Sequence, residues 1–181
     1  ELRRTGYKVF EQILDQRHTA TIENRARYWM VAVSEGIAPD ALELPEVIQD
    51  RPTISSILEA NPAEKWTANE YLDLKAIRDL AAGKGFKRQL LTGEETRCGT
   101  IGRYYAKKRS TEPFLVNAEG LERLFTPAEH AAVKSIPAHL IASGISKTTA
   151  HEILGQSVDY RQPLKLGLAL FAALKSGVIA A

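Results

Sequence analysis

The stretch Glu23-Asn24-Arg25-Ala26-Arg27-Tyr28-Trp29-Met30-Val31 decides how the first part of this chain is read. Its second half is rich in β-branched and aromatic residues, which suit a pleated, half-buried surface. In a strand the side chains alternate, so Arg25 and Arg27 would share one face and present two fixed cations side by side. Working outward, Tyr7–Leu14 has the same composition, and the polar segment 15–26 separates it from a second apolar run over 28–34. Two strands joined as a hairpin are expected. Pro39, Pro45 and Pro52 then punctuate a linker, which sets a domain boundary near residue 45.

Beyond the linker the signals become helical. Thr53 can cap a short helix that should end before Pro62. Thr67 with Glu70 fits a capping box, and Tyr71, Leu74, Ile77 and Leu80 then fall on one helical face, with Gly83 as a stop. Residues 85–118 lose this periodicity and read as short strands and loops. A second capping box, Thr126-Pro127-Ala128-Glu129, opens another helix with proline at the first position, where no N–H is required. Pro137 ends it, Ser146 can cap a helix running to about Leu154, and Pro163 can begin a last apolar helix reaching Lys175.

With 181 residues the chain can bury a real core, and 44% apolar with 25% charged residues excludes a disordered, collagenous or disulfide-stapled protein. Cys98 is the single cysteine and has no internal disulfide partner. The longest apolar run, 166–174, is far short of the roughly 20 residues needed to cross a bilayer, so no membrane partner is expected. The chain starts at Glu1 and residues 1–10 have no apolar signal core, which we read as a fragment or processed product from a reducing, cytoplasmic setting. His18, His130, His139 and His151 lack metal-ligand spacing, and no metal site is expected.

The net charge of +2 is unevenly spread. Lys84, Lys87, Arg88, Arg97, Arg103, Lys107, Lys108 and Arg109 stand against only Glu94 and Glu95, a local excess of six, leaving the rest of the chain acidic by four. Phe86, Tyr104 and Tyr105 lie among these cations, and Gly83, Gly85, Gly99 and Gly102 allow close backbone approach. Such an island is the footprint of a phosphate-backbone binder; a solvated surface face is the alternative.

Four patterns, in order and covering nearly the whole chain, resemble the carboxy-terminal portion of DNA (cytosine-5)-methyltransferases. Residues 23–31 resemble the family's Gln-x-Arg-x-Arg motif and strand, with Glu23 in place of glutamine. The basic segments 83–91 and 96–113 are similar to a target-recognition domain. Arg123-Leu124-Phe125-Thr126-Pro127-Ala128-Glu129 resembles the Arg-x-Leu-Thr-Pro-x-Glu motif that anchors it. Gly155-Gln156-Ser157-Val158 resembles the Gly-Asn-Ser/Ala-Val motif, with Gln156 in place of asparagine.

The resemblance implies an α+β fold: a strand pair and carboxy-terminal helix from a doubly wound methyltransferase domain, plus a mixed target-recognition domain. The expected division is 1–45 as the strand pair, 46–143 as the recognition domain and 144–181 as the returning helical segment. It also implies methyl transfer from S-adenosylmethionine to carbon 5 of a flipped cytosine in double-stranded DNA. Arg27 would contact the base's O2 and Arg25 would support the site. Gly155, Gln156, Ser157 and Val158 would close over the cofactor. The glycine-rich cofactor loop, the Pro-Cys nucleophile and the Glu-Asn-Val motif of the amino-terminal half have no counterpart here, so the chain alone is expected to be inactive and to need that half, in cis or as a second chain.

Two other readings compete. Residues 140–154 could form a helix-turn-helix with a glycine turn, making a non-enzymatic DNA-binding regulator, but its second helix offers only Lys147 as a cation. The apolar helix 164–174 could instead serve a protein-interaction module. The salt dependence of DNA binding, and the region that carries it, separates the three.

Overall fold

The computed structural model describes residues 1–85, 87–141 and 143–179, without the side chains of 176–179. Phe86 of the basic island and Ala142 of the 140–154 stretch therefore lie outside the described residues. The expected hairpin is present: β1 (Tyr7–Leu14) pairs antiparallel with β2 (Arg27–Ser34) from Tyr7 opposite Ser34 to Leu14 opposite Arg27. The connection is not plain loop, because Asp15 caps a single turn, α1 (Gln16–Thr19), by accepting from the Arg17 N–H.

The core lies beyond the hairpin. A second sheet has β3 (Gln89–Leu91) parallel to β4 (Pro113–Val116), and β5 (Glu122–Arg123) antiparallel to β4. Phe114 and Leu115 of β4 pack with Ile54, Leu91, Ile101, Tyr105, Leu124, Phe125 and Val133. Ile22 joins the same cluster, so the segment entering β2 is built into the core. Backbone hydrogen bonds seal this junction: Cys98 N–H donates to the Ile22 carbonyl at 2.9 Å, and Asn24 N–H donates to the Cys98 carbonyl at 2.8 Å.

The helices depart from expectation in instructive ways. Thr53 precedes only one 3-10 turn, Ile54–Ile57, and makes no side-chain cap. α2 spans Glu70–Ala81, but Asn69 takes the N-cap position without a side-chain cap bond, because Thr67 is used to bridge the Glu122 backbone in both directions at 2.9 Å. Its apolar stripe faces outward; Leu72 and Asp79 face in. The second capping box forms as expected at the start of α3 (Pro127–Val133), with Thr126 and Glu129 each accepting from the other's backbone. That helix stops before Pro137, since Ser135 already has a left-handed φ of 54°.

Ser146 caps α4 (Lys147–Gln156) by accepting from Thr149 N–H at 3.1 Å. α5 (Arg161–Ile179) follows and starts two residues ahead of Pro163. It docks on the hairpin: Trp29 Nε1–H donates to Gln162 Oε1 at 2.8 Å, and Gln162 Nε2 donates to the Arg25 carbonyl at 3.3 Å. α4 packs on both α3 and the 3-10 turn Tyr105–Lys107. Among the described residues, the stretch preceding α4 holds only the 3-10 turn Ala138–Leu140, which is too short for the first helix of a helix-turn-helix.

Candidate active site and nucleic-acid interface

The segment 23–27 is extended, and burial alternates along it. Glu23 is buried, Arg25 and Arg27 are half-buried, and Asn24 and Ala26 are exposed. The two arginines thus share a face, although the strand itself begins only at Arg27. Burial lowers the pKa of Arg25, the Glu23 carboxylate opposes the shift, and the nearby charge of Arg27 adds to it. Arg27 Nη1 donates to the Ala26 carbonyl at 2.7 Å. Arg25 Nη1 donates to the Gly155 carbonyl at 3.0 Å, while its buried Nε has no partner.

Gly155 is a three-way junction. A side-chain carbon at this position would lie 2.4 Å from the carbonyl carbon and oxygen of Gly102 and from the Arg103 nitrogen, so only glycine lets α4 approach this loop. The contact brings three separate stretches together: the arginine segment, the residues 155–158 and the Gly102–Arg103 loop of the basic island. Ser157 donates its hydroxyl to the Leu154 carbonyl at 2.6 Å, and Gln156 Nε2 donates to the Glu152 carbonyl at 3.2 Å. Ser157 and Val158 are half-buried, and Ser157 lines an apolar cleft of about 250 Å³ with Ile136, Leu140, Ile141, Ile145 and Ile153. Gly155 itself serves the packing.

Two polar assemblies hold the junction in place, and sequence reasoning missed both. Lys134 and Glu23 are fully buried; the ammonium donates to both carboxylate oxygens at 2.7 Å, and Ile101 N–H donates to Glu23 Oε1 at 2.9 Å. Burial nevertheless lowers the pKa of Lys134, with Glu23 opposing the shift. Asp159, also buried, accepts from the hydroxyls of Thr19 at 2.5 Å and Thr21 at 2.8 Å. The side-chain partners lie more than 100 residues apart, so no local pattern announces them. A third assembly was legible in part: Arg123 forms a buried two-pronged pair with Glu129 at 2.6 and 2.9 Å, six residues on in the quoted motif.

His130 and His151 face each other across α3 and α4 with Nδ1 atoms 3.0 Å apart, both rings packed against Tyr105. Burial pushes both pKa values down, that of His151 to about 4, so the pair is neutral near pH 7. Among the described residues no group of His, Cys, Asp and Glu is arranged to hold a metal.

The basic island divides. Arg103, Lys107 and Arg109 gather around one ring, their charged ends 4.8, 4.6 and 4.6 Å from the centre of Tyr104, and remain solvent-exposed. Lys108 sits within this turn, exposed and in the left-handed region at φ 50°. Arg97 and Lys87 are exposed, with Arg97 beside Asn24, Gln89 and Gly99 in a polar hollow. Lys84 is exposed but donates to Asp79 at 2.7 Å. Arg88 faces inward: its side chain is 6% exposed, paired with Asp73 and, at 2.5 Å, with Glu122, and it covers Phe114. Expected among the surface cations, Arg88 is instead fixed by the buried Glu122 and the exposed Asp73. Lys147 pairs with Glu64 at 2.9 Å, which further weakens α4 as a DNA-reading helix.

The fold matches part of several solved methyltransferase structures. Solved structures with the same fold include a methyltransferase, EhMeth, of Entamoeba histolytica (TM-score 0.74, 20% identity, 96% of this chain and 56% of that one) and Dnmt2 of S. pombe (TM-score 0.70, 19% identity, 98% and 60%). Dnmt2 of Spodoptera frugiperda is a third, at TM-score 0.72 and 17% identity. By sequence the chain is 30% identical over 162 residues to the type II methyltransferase M.NlaX of Neisseria lactamica. The chain is thus similar in sequence to a type II methyltransferase and shares its fold with EhMeth and the Dnmt2 structures, and it spans about half the length of the relatives it matches. No family model matches the sequence. Among the described residues no helix is long and apolar enough to cross a membrane.

Proposed function

We propose that this chain provides DNA target recognition and completes the active site of a DNA cytosine-5 methyltransferase. The observation that carries this reading is the junction at Gly155, where Arg25, the residues 155–158 and the Gly102–Arg103 loop meet. A catalytic segment and a DNA-binding loop held against one glycine can act as a unit. Arg27, half-buried at the start of β2, presents its guanidinium to O2 of the flipped cytosine; Arg25, tied to the Gly155 carbonyl, positions it. S-adenosylmethionine, when bound, supplies the methyl group, and Ser157 and Val158 with Gln156 form one edge of its site.

Lys87, Arg97, Arg103, Lys107, Lys108 and Arg109, joined by Lys84 at the margin, neutralise DNA phosphates. Tyr104 keeps three of them at one place by cation–π contact. The three domains of the division at residues 45 and 143, and an amino-terminal half carrying the nucleophile and cofactor loop, belong to the same proposal. Without that half the chain transfers no methyl groups.

Fluorescence anisotropy of the chain with duplex DNA at several salt concentrations tests the reading. Four phosphate contacts predict that the logarithm of affinity falls against that of salt with a slope of roughly −3.6. Replacing Lys107, Lys108 and Arg109 with alanine should flatten this slope, whereas Lys147→Ala should leave it unchanged. Equal slopes for the triple variant and the unaltered chain would remove the Tyr104 cluster from the DNA interface.

A further inference from the structure

The polar hollow that holds Arg97, about 260 Å³ in volume, is built differently from the Tyr104 cluster. Glu23 and Cys98 pair beneath it as a parallel β-bridge, and both side chains turn into the core. Side chains alternate along each extended segment, so their neighbours Asn24 and Arg97 turn outward on the same side and line the hollow. The Thr100 hydroxyl donates to the Asn24 carbonyl at 3.0 Å and ties the two segments together once more.

Gln89, at the start of β3, supplies the remaining wall. Its Oε1 accepts from the Gly99 N–H at 2.7 Å, which fixes the orientation of the amide, and its Nε2 donates to the Thr111 carbonyl at 3.5 Å. The second hydrogen on that nitrogen is left without a protein partner. A side-chain carbon on residue 99 would collide with the Gln89 amide, so glycine makes the room it occupies. Among the described residues the Arg97 side chain has no ion pair or hydrogen bond, and no acidic residue lines the hollow.

A free guanidinium fork beside an amide N–H, with no carboxylate, suits a planar ligand that offers two adjacent acceptors. Phosphates are better served by gathered cations such as those around Tyr104, whereas this hollow has one cation among neutral amides. On the major-groove edge of DNA, guanine presents two acceptors, N7 and O6; adenine and cytosine each present an amino donor there, and thymine one acceptor and a methyl group. We propose that this hollow reads a guanine of the DNA target, with Arg97 donating to N7 and O6 and Gln89 Nε2 bounding the same edge. The assignment rests on the DNA-recognition reading above and gives Arg97 a base in place of a phosphate.

Selection of bound duplexes from a randomised library, followed by fluorescence anisotropy on the selected sequence, tests it. The selected duplexes should share a guanine whose replacement by adenine lowers affinity by about tenfold or more, and whose replacement by 7-deazaguanine, which lacks the N7 acceptor, lowers it severalfold. With Arg97→Ala the three bases at that position should bind alike, while preferences elsewhere in the site persist. Arg97→Lys keeps the charge but loses the fork, so it should lose most of the guanine preference with the salt slope unchanged. Gln89→Glu still accepts from Gly99 but sets a carboxylate beside Arg97, and should weaken the same preference. Arg97 is exposed, so its variants should keep the circular dichroism of the unaltered chain. An equal loss of affinity for every duplex in Arg97→Ala would put Arg97 on a phosphate and overturn the proposal, with the DNA-recognition reading intact. A selected site without such a guanine, or a guanine preference that survives Arg97→Ala, overturns it in the same way. A chain that binds no duplex at any salt concentration removes the DNA-recognition reading and this assignment with it.

Discussion

Gly155→Ala sets local preference directly against tertiary packing. Gly155 lies inside α4, where alanine is favoured over glycine by about 1 kcal/mol, so propensity alone predicts a more stable protein. The structure predicts the opposite. The added methyl carbon would sit 2.4 Å from three backbone atoms of Gly102 and Arg103, and backbone cannot rotate aside as a flexible side chain would. Relieving the overlap requires α4 to move off the loop, and overpacking of this kind costs about 1 to 3 kcal/mol or more. An overlap with three backbone atoms belongs at the upper end of that range, so net of propensity a loss of about 2 kcal/mol is expected, equivalent to roughly 4 to 8 °C in Tm for a chain of this size. Gly167→Ala in α5 is the matched control, because the new methyl there meets nothing within 4 Å and should stabilise by about 0.5 to 1 kcal/mol. Urea unfolding of the two variants measures both signs in one experiment. If Gly155→Ala is as stable as the unaltered chain, or moves with Gly167→Ala, the close approach at this junction is wrong.

Three further outcomes follow from the buried polar groups. His130 and His151 stay neutral in the folded chain, whereas unfolded histidine titrates near 6.5; the unfolded state therefore binds more protons below that pH. Stability should fall as pH drops from about 6.5 toward 4, by up to about 1.4 kcal/mol per pH unit for each histidine, and a flat urea midpoint between pH 7 and 5 would contradict the pair's burial. Lys134→Met leaves the Glu23 carboxylate buried without its cation and should cost about 3 to 5 kcal/mol, with Glu23→Gln added to it recovering part of the loss. A double variant no better than the single would show that the charge of Glu23 is not the cause. Cys98 is 3% exposed and burial raises its pKa, so a thiol reagent at neutral pH should label it only as fast as the chain opens; immediate labelling would place it at the surface.

Where information was local, the sequence determined structure on its own. Runs rich in β-branched and aromatic residues specified β1 and β2, because such side chains suit a pleated, half-buried surface. Thr126 with Glu129, and Ser146, specified two helix starts, because the capping groups lie within one turn of the N–H groups they satisfy. The arginine segment and the residues 155–158 were also legible as candidates. Only the tertiary structure decided which groups meet. Periodicity on α2 identified an apolar stripe but not whether anything covers it, and the core took Leu72 instead. The Thr67–Glu70 pattern matched a capping box, yet Thr67 went to Glu122, which is 55 residues away. Arg88 was counted as a surface cation until Asp73, Glu122 and Phe114 enclosed it, and Lys134 found Glu23 across 111 residues. The physical reason is common to all four: a side chain's type sets what it can bind, while burial and partner are properties of chain segments brought together from far apart, which no short window of sequence contains.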